Sequence, residues 1–180
     1  MIFRKKIMII SIFSMVIALF SPLIYQNIQL ASKPITIPKP KKIIIYNNSK
    51  NKTIYEDDKN FDKIIKLICE RISSTDSSNK ISISENKDLL LDEVNQAKNS
   101  WRCIEFIYEN PTPFKLNLDN GAEEQIRVKK AFFLISAEAT LDFGIDMIYG
   151  EDEYTSRLEN IKTEDKIMIS LLRIVEQELP

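Results

Sequence analysis

The side chains in this sequence that could perform chemistry are carboxylates and two thiols. Glu105 and Glu109 stand four apart, as do Asp142 and Asp146. In a strand that spacing puts both members of a pair on one face. Two acids held about 5–9.5 Å apart can hydrolyse a glycosidic bond, which makes these pairs the candidates for an envelope glycan hydrolase. Solvated strand ends are the plainer expectation for them. Glu151-Asp152-Glu153 offers hard oxygen ligands, but without the alternating spacing and turn glycine of a calcium loop, so a solvated loop is expected. Cys69 and Cys103 are the chain's 2 cysteines. In an oxidising compartment they can close a loop of about 34 residues, worth roughly 3–4 kcal/mol. Buried and reduced, they act as small hydrophobes instead.

Histidine is absent, with a count of 0. That removes Ser-His-Asp and Cys-His catalysis, His-ligated zinc, and the usual general base near neutral pH. Two cysteines alone cannot build a zinc-thiolate site. No cofactor or metal is therefore expected, and no catalytic residue is assigned. Charge excludes a further class. Of 25 Lys+Arg, three (Arg4, Lys5, Lys6) precede an apolar run, which leaves 22 against 26 Asp+Glu, a balance of −4. A weakly acidic domain without a basic, aromatic-interleaved stripe is a poor nucleic-acid binder. Among the aromatics, Trp101 and Tyr154 would mark a partner interface if they stood exposed.

These side chains must be positioned by a domain whose compartment is set at the amino end. Ile7 to Tyr25 carries no charge and is interrupted by Ser11, Ser14, Ser21 and Pro22. A run of about nineteen residues reaches roughly 28 Å as a helix, close to the hydrocarbon thickness of a bilayer. Arg4, Lys5 and Lys6 before it favour an inside amino terminus and an outside domain. Residues 1–6 then form a cytoplasmic tail, 7–25 a single-pass signal anchor, 26–40 a Pro/Lys stalk and 41–180 an extracytoplasmic domain. A cleaved signal peptide, which would release a secreted protein, is the alternative. It fits less well, because the run is long and Leu30-Ala31-Ser32 lacks an upstream small residue.

Within 41–180, alternation and helical spacing predict the order ββα(β)αββββα. Lys41–Tyr46 and Lys52–Glu56 read as a hairpin across a five-residue connection. Phe61, Ile64, Ile65, Ile68 and Ile72 form one helical stripe. Ile81 and Ile83 suggest a short edge strand, and Leu90, Leu91, Val94 and Ala97 a second helix capped by Ser84 or Asn86. Trp101–Glu109 is a central strand, apolar on both faces. Asn110-Pro111-Thr112-Pro113 should turn the chain into a returning strand at Phe114–Leu118, before Asp119-Asn120-Gly121 turns it again. Strands follow at Gln125–Ser136 and Phe143–Tyr149, then a charged loop from Glu151 to Asn160. A last helix capped by Thr163 buries Ile167, Met168, Leu171, Leu172 and Val175. The expected fold is α+β, a mostly antiparallel sheet with about three helices on one face, preceded by one transmembrane helix.

Arg4-Lys5-Lys6, the apolar run, Ile43-Ile44-Ile45-Tyr46-Asn47, Lys52-Thr53-Ile54-Tyr55 and Phe61-Asp62-Lys63-Ile64-Ile65 give a pattern over about the first 70 residues. It resembles that of membrane-anchored extracytoplasmic proteins of low-GC Gram-positive bacteria. The resemblance implies a compartment and carries over no site residues. A cysteine after the apolar run, which the lipid-anchored members have, is missing here. The expected function is a non-enzymatic, membrane-tethered binding or regulatory module of the cell envelope, with an envelope protein as partner. The alternatives are the glycan hydrolase above and an inhibitor or immunity-type protein.

Overall fold

Alternating apolar residues and two helical stripes fold this chain around one seven-stranded antiparallel sheet. The computed structural model describes residues 37–73, 80–83, 87–117, 123–136, 147–159, 161 and 164–180. In chain order the described elements are β1 (Lys42–Asn47), β2 (Lys50–Ile54), α1 (Phe61–Ser73), β3 (Lys80–Ile83) and α2 (Lys87–Ser100). They continue with β4 (Arg102–Asn117), β5 (Glu123–Ser136), β6 (Met147–Gly150), β7 (Ser156–Glu159) and α3 (Asp165–Glu178). The sheet order is β2-β1-β4-β5-β6-β7-β3, antiparallel at every pairing. The fold is α+β. The anchor at 7–25, the stalk as far as residue 36, and the caps Ser84, Asn86 and Thr163 lie outside the described residues. Among the described residues, no helix is long and apolar enough to cross a membrane.

The helices do not share one face. Ile43, Ile45, Ile104, Phe106, Phe133, Met147 and Leu158 alternate to one side of the sheet and pack with Phe61, Ile64, Ile68 and Ile72 of α1 and Ile167, Leu171, Ile174 and Val175 of α3. The residues between them, Cys103, Phe132 and Ile148, point the other way and pack with Leu90, Val94 and Ala97 of α2. The correction follows from the double-sided apolar character of β4 and β5. A central strand with apolar groups on both faces needs cover on both faces. Trp101, half-buried where α2 turns into β4, packs on the α2 side.

Three local expectations also change. The first hairpin turns on two residues, with Asn47 opposite Lys50 and with Asn48 (φ 49°) and Ser49 (φ 69°) left-handed. That is the geometry of a two-residue hairpin loop, whose backbone twist matches that of its strands. Pro111 and Pro113 do not turn the chain. β4 runs on through them with a register shift between Ile107 and Thr112. β1 stops pairing at Ile107, so among the described residues β4 is an edge beyond that point, and two missing N–H donors cost little there. Ser156–Glu159, expected as loop, is a strand that carries edge strand β3. Ile37, 4% exposed, already belongs to the larger core, and Tyr108 donates its hydroxyl to the Pro38 carbonyl at 3.0 Å. The fold therefore reaches back at least to Ile37.

Candidate functional site

Glu105 sits near the start of β4 between Ile104 and Phe106 and is 4% exposed. Alternation turns it toward α2, into the smaller core. A carboxylate there stays charged only if donors replace its water. Three do so. The Tyr46 hydroxyl of β1 donates to Oε2 at 2.7 Å, and the Lys98 ammonium of α2 lies 2.8 Å from the same oxygen. The Tyr154 hydroxyl, from the connection between β6 and β7, donates to Oε1. Register explains the first contact: Ile44 is opposite Glu105 and Tyr46 opposite Cys103, so Tyr46 is the diagonal neighbour on the same face. Helical spacing explains the second. Lys87, Leu91 and Lys98 follow one another at four and then seven residues, along one flank of α2. Lys98 also lies over the rings of Tyr46 (4.9 Å), Phe132 (5.8 Å) and Tyr154 (6.0 Å), and Lys130 of β5 lies 4.6 Å from the Tyr154 ring centre.

Electrostatics follow this packing. Burial pushes the Glu105 carboxyl up. The Lys98 charge, its hydrogen bond and the two phenol donors outweigh that and hold the pKa below its ordinary value. Burial, with the Glu105 charge and hydrogen bonds adding to it, pushes both Tyr46 and Tyr154 well above the usual phenol range. Burial also drives the Cys103 thiol up to about 12, against a weaker opposing pull from Lys98. Lys130 is lowered, by burial first and with Lys98 adding to it, although Glu105 pulls the other way.

Beside this cluster lies a cavity of about 130 Å³, lined by Lys87, Asp88, Leu91, Lys130, Glu153 and Tyr154. Lys87 and Glu153 on its wall pair at 3.5 Å. Leu91 is 47% exposed at its edge. Water takes about 30 Å³ per molecule in the liquid, so the space holds roughly four waters or one side chain. Small-molecule sites usually enclose about 300–1,000 Å³.

The expected site residues are placed apart. Cys69 packs against the α1 and α3 side and Cys103 is buried on the α2 side, so the sheet stands between them and both are free thiols. The disulfide is therefore corrected. Tyr154, 3% exposed, is a buried donor and not an exposed interface ring. Trp101 is half-buried. Glu109 is exposed and pairs with Lys41 at 3.0 Å, while Glu105 is enclosed; four strand residues separate them by about 13 Å. Both Glu105 oxygens are taken by internal donors and Glu109 pairs outside, so the two carboxyls do not face a common cleft as a glycosidase pair does. Asp142 and Asp146 lie outside the described residues. Glu151, Asp152 and Glu153 are held by Arg127, Lys129 and Lys87. Among the described residues no three His, Cys, Asp or Glu side chains gather as a metal site.

Sequence reading missed Lys98, Tyr46 and Lys130 as partners of Glu105. The available signal was Glu105 itself, an acid inside an apolar central strand, which requires a cation on the same face. Comparison with protein-family models, with curated proteins and with solved structures finds no match to this chain.

Proposed function

We propose that this protein is a non-enzymatic, membrane-tethered binding module of the bacterial cell envelope, held by the segment Ile7–Tyr25, with a protein as its partner. Recognition takes place on the Lys87–Leu91 flank of α2. The observation that carries this reading is the cavity beside that flank: about 130 Å³, edged by exposed Leu91, with Lys130 and Tyr154 in its wall. It is sized for one inserted side chain of a partner and small for a sugar or cofactor. Glu105, the most enclosed carboxylate of the described residues, spends its oxygens on internal donors, which supports a structural use over acid–base work. An inhibitor or immunity-type protein is this same reading with a secreted enzyme as the partner.

The test is chemical cross-linking on intact cells expressing the full chain with an amino-terminal tag, followed by recovery and identification. One envelope protein recovered repeatedly with the wild type and lost with Leu91→Glu is the expected result. Recovery of the chain alone, or of the same partner with Leu91→Glu, overturns the assignment of this flank.

A further inference from the structure

The two sides of the sheet are held by different kinds of interaction. On one side α1 and α3 seat in the larger, continuous apolar cluster. On the other, α2 seats on a smaller cluster and is pinned by ion pairs, of which Lys87 to Glu153 lies at the cavity wall and two more reach the sheet. These are Lys98 to Glu105 and Arg157 to Glu93. The groups that face Glu105 come from every element around it: Tyr46 of β1, Cys103 of its own strand, Lys98 of α2, Lys130 of β5 and Tyr154 of the β6–β7 connection. None of these is an anion near neutral pH, and two are cations. Glu105 is the carboxylate that both phenols and Lys98 contact, while Glu153 and Asp152 act on the cluster from its rim through Lys130.

We infer that Glu105 is a latch for α2: discharging it releases the helix from the sheet as a unit, while the α1–α3 side remains folded. Protonated Glu105 no longer pairs with the Lys98 ammonium, whose side chain is 21% exposed beside three aromatic rings, so the ion pair that ties α2 to β4 is lost. What then holds α2 on this face is the smaller apolar cluster around Leu90, Val94 and Ala97. Release uncovers Phe132, Cys103 and Ile148, and it opens the cavity, because Lys87, Asp88 and Leu91 all belong to α2. The latch regulates the recognition surface proposed above and rests on that reading for its purpose, although its mechanics do not.

The sign is fixed by the direction of the Glu105 shift. Its folded pKa lies below the ordinary 4.5, so the stabilisation is present above that value and is lost as pH falls through the folded pKa. Trp101 supplies the readout, since it is the chain's single tryptophan and packs on the α2 side. The experiment is an acid titration of the detergent-solubilised full chain, following Trp101 emission, far-UV circular dichroism and binding of an apolar dye together. The expected result is a Trp101 and dye transition at higher pH than the loss of strand signal. Glu105→Gln, which cannot ionise, removes the Trp101 transition and lets the dye bind at neutral pH. Coincident midpoints, or a Glu105→Gln chain with the wild-type Trp101 transition, overturn the latch. If that variant does not fold, hydrogen exchange on the wild type decides instead. Protection factors in α2, corrected for intrinsic pH dependence, fall before those of α1 and α3 if the latch exists, and fall with them if it does not. This titration involves no partner, so its failure is separable from failure of the cross-linking test.

Discussion

Replacing Glu105 by glutamine keeps its shape and removes the charge that holds Lys98 among three rings. A chain that loses one member of a buried ion pair is destabilised by about 3–5 kcal/mol, so Glu105→Gln and Lys98→Met should each lower the urea midpoint by a corresponding amount. The pair Glu105→Leu with Lys98→Met should recover most of that loss, because apolar side chains of similar volume replace a buried ion pair at little cost. Urea titrations of the wild type, Glu105→Leu, Lys98→Met and the pair measure the coupling. Tyr154→Phe leaves one lone pair of a buried carboxylate without a donor and should cost about 1.5–3 kcal/mol in the same assay. The chain showed Glu105 as one of a spaced carboxylate pair, and that reading failed for a physical reason. Its partners come from β1, α2 and the β6–β7 connection, between 7 and 59 residues away, and only tertiary register brings them together. The cysteines failed similarly: helical and strand position placed each on an element, but not on opposite sides of the sheet.

At the scale of elements, turns are where small changes should have clear signs. Ser49 holds φ at 69°, which costs an L-residue about 1 kcal/mol, so Ser49→Gly creates an Asn-Gly hairpin and relieves that strain. Its exposed hydroxyl bond to the Asn99 carbonyl is lost in exchange, leaving a net gain of about 0.5 kcal/mol in thermal or urea unfolding. Gly150 has the opposite sign. A methyl there would meet the Glu153 carbonyl oxygen at 1.8 Å, so Gly150→Ala must displace the connection that carries Tyr154. About 2 kcal/mol of stability should go, and Trp101 emission should shift as the Glu105 cluster loosens. The helices and the hydrophobic hairpin strands were legible because apolar periodicity is local. The course of β4 through Pro111 and Pro113 was not, since a proline there reads as a turn until the neighbouring strand is known to stop at Ile107. β7 was hidden because Arg157 and Glu159 made it look like loop, whereas both of its neighbours make it a strand.

For the whole molecule, stability against pH should be a plateau with two shoulders. Glu105 and Glu178 both have folded pKa values below the ordinary 4.5, the second through Lys52 and Asn60, so their contributions vanish as pH falls below that value. Tyr46 and Tyr154 are raised above the ordinary 10.0, so stability is complete below that value and declines as pH rises past it. Scanning calorimetry from acid to alkali should find the highest melting temperatures between these limits. The α+β class followed from element order alone, but the distribution of helices did not. Short connections made the sheet antiparallel in either case, and only the double-sided apolar character of β4 and β5 argued for cover on both faces.

The first hairpin and the last helix of the described fold are tied together. Asn47 donates its side-chain N–H to the Leu179 carbonyl at 2.8 Å, Lys52 pairs with Glu178 at 2.6 Å, and Asn60 donates to the same carboxylate at 2.6 Å. β1 in turn pairs with β4, and β3 waits for β7. A chain emerging from the ribosome or threaded through a translocase therefore makes its first hairpin long before β4 and α3 exist to cover it. Such non-local closure makes for slow folding, and it leaves the β4 side of the Ile43-Ile44-Ile45 segment unpaired while synthesis proceeds. The practical consequence is for truncation. A chain cut before α3 should accumulate as aggregate rather than as a smaller folded domain, because the side of the sheet that α3 covers would face water.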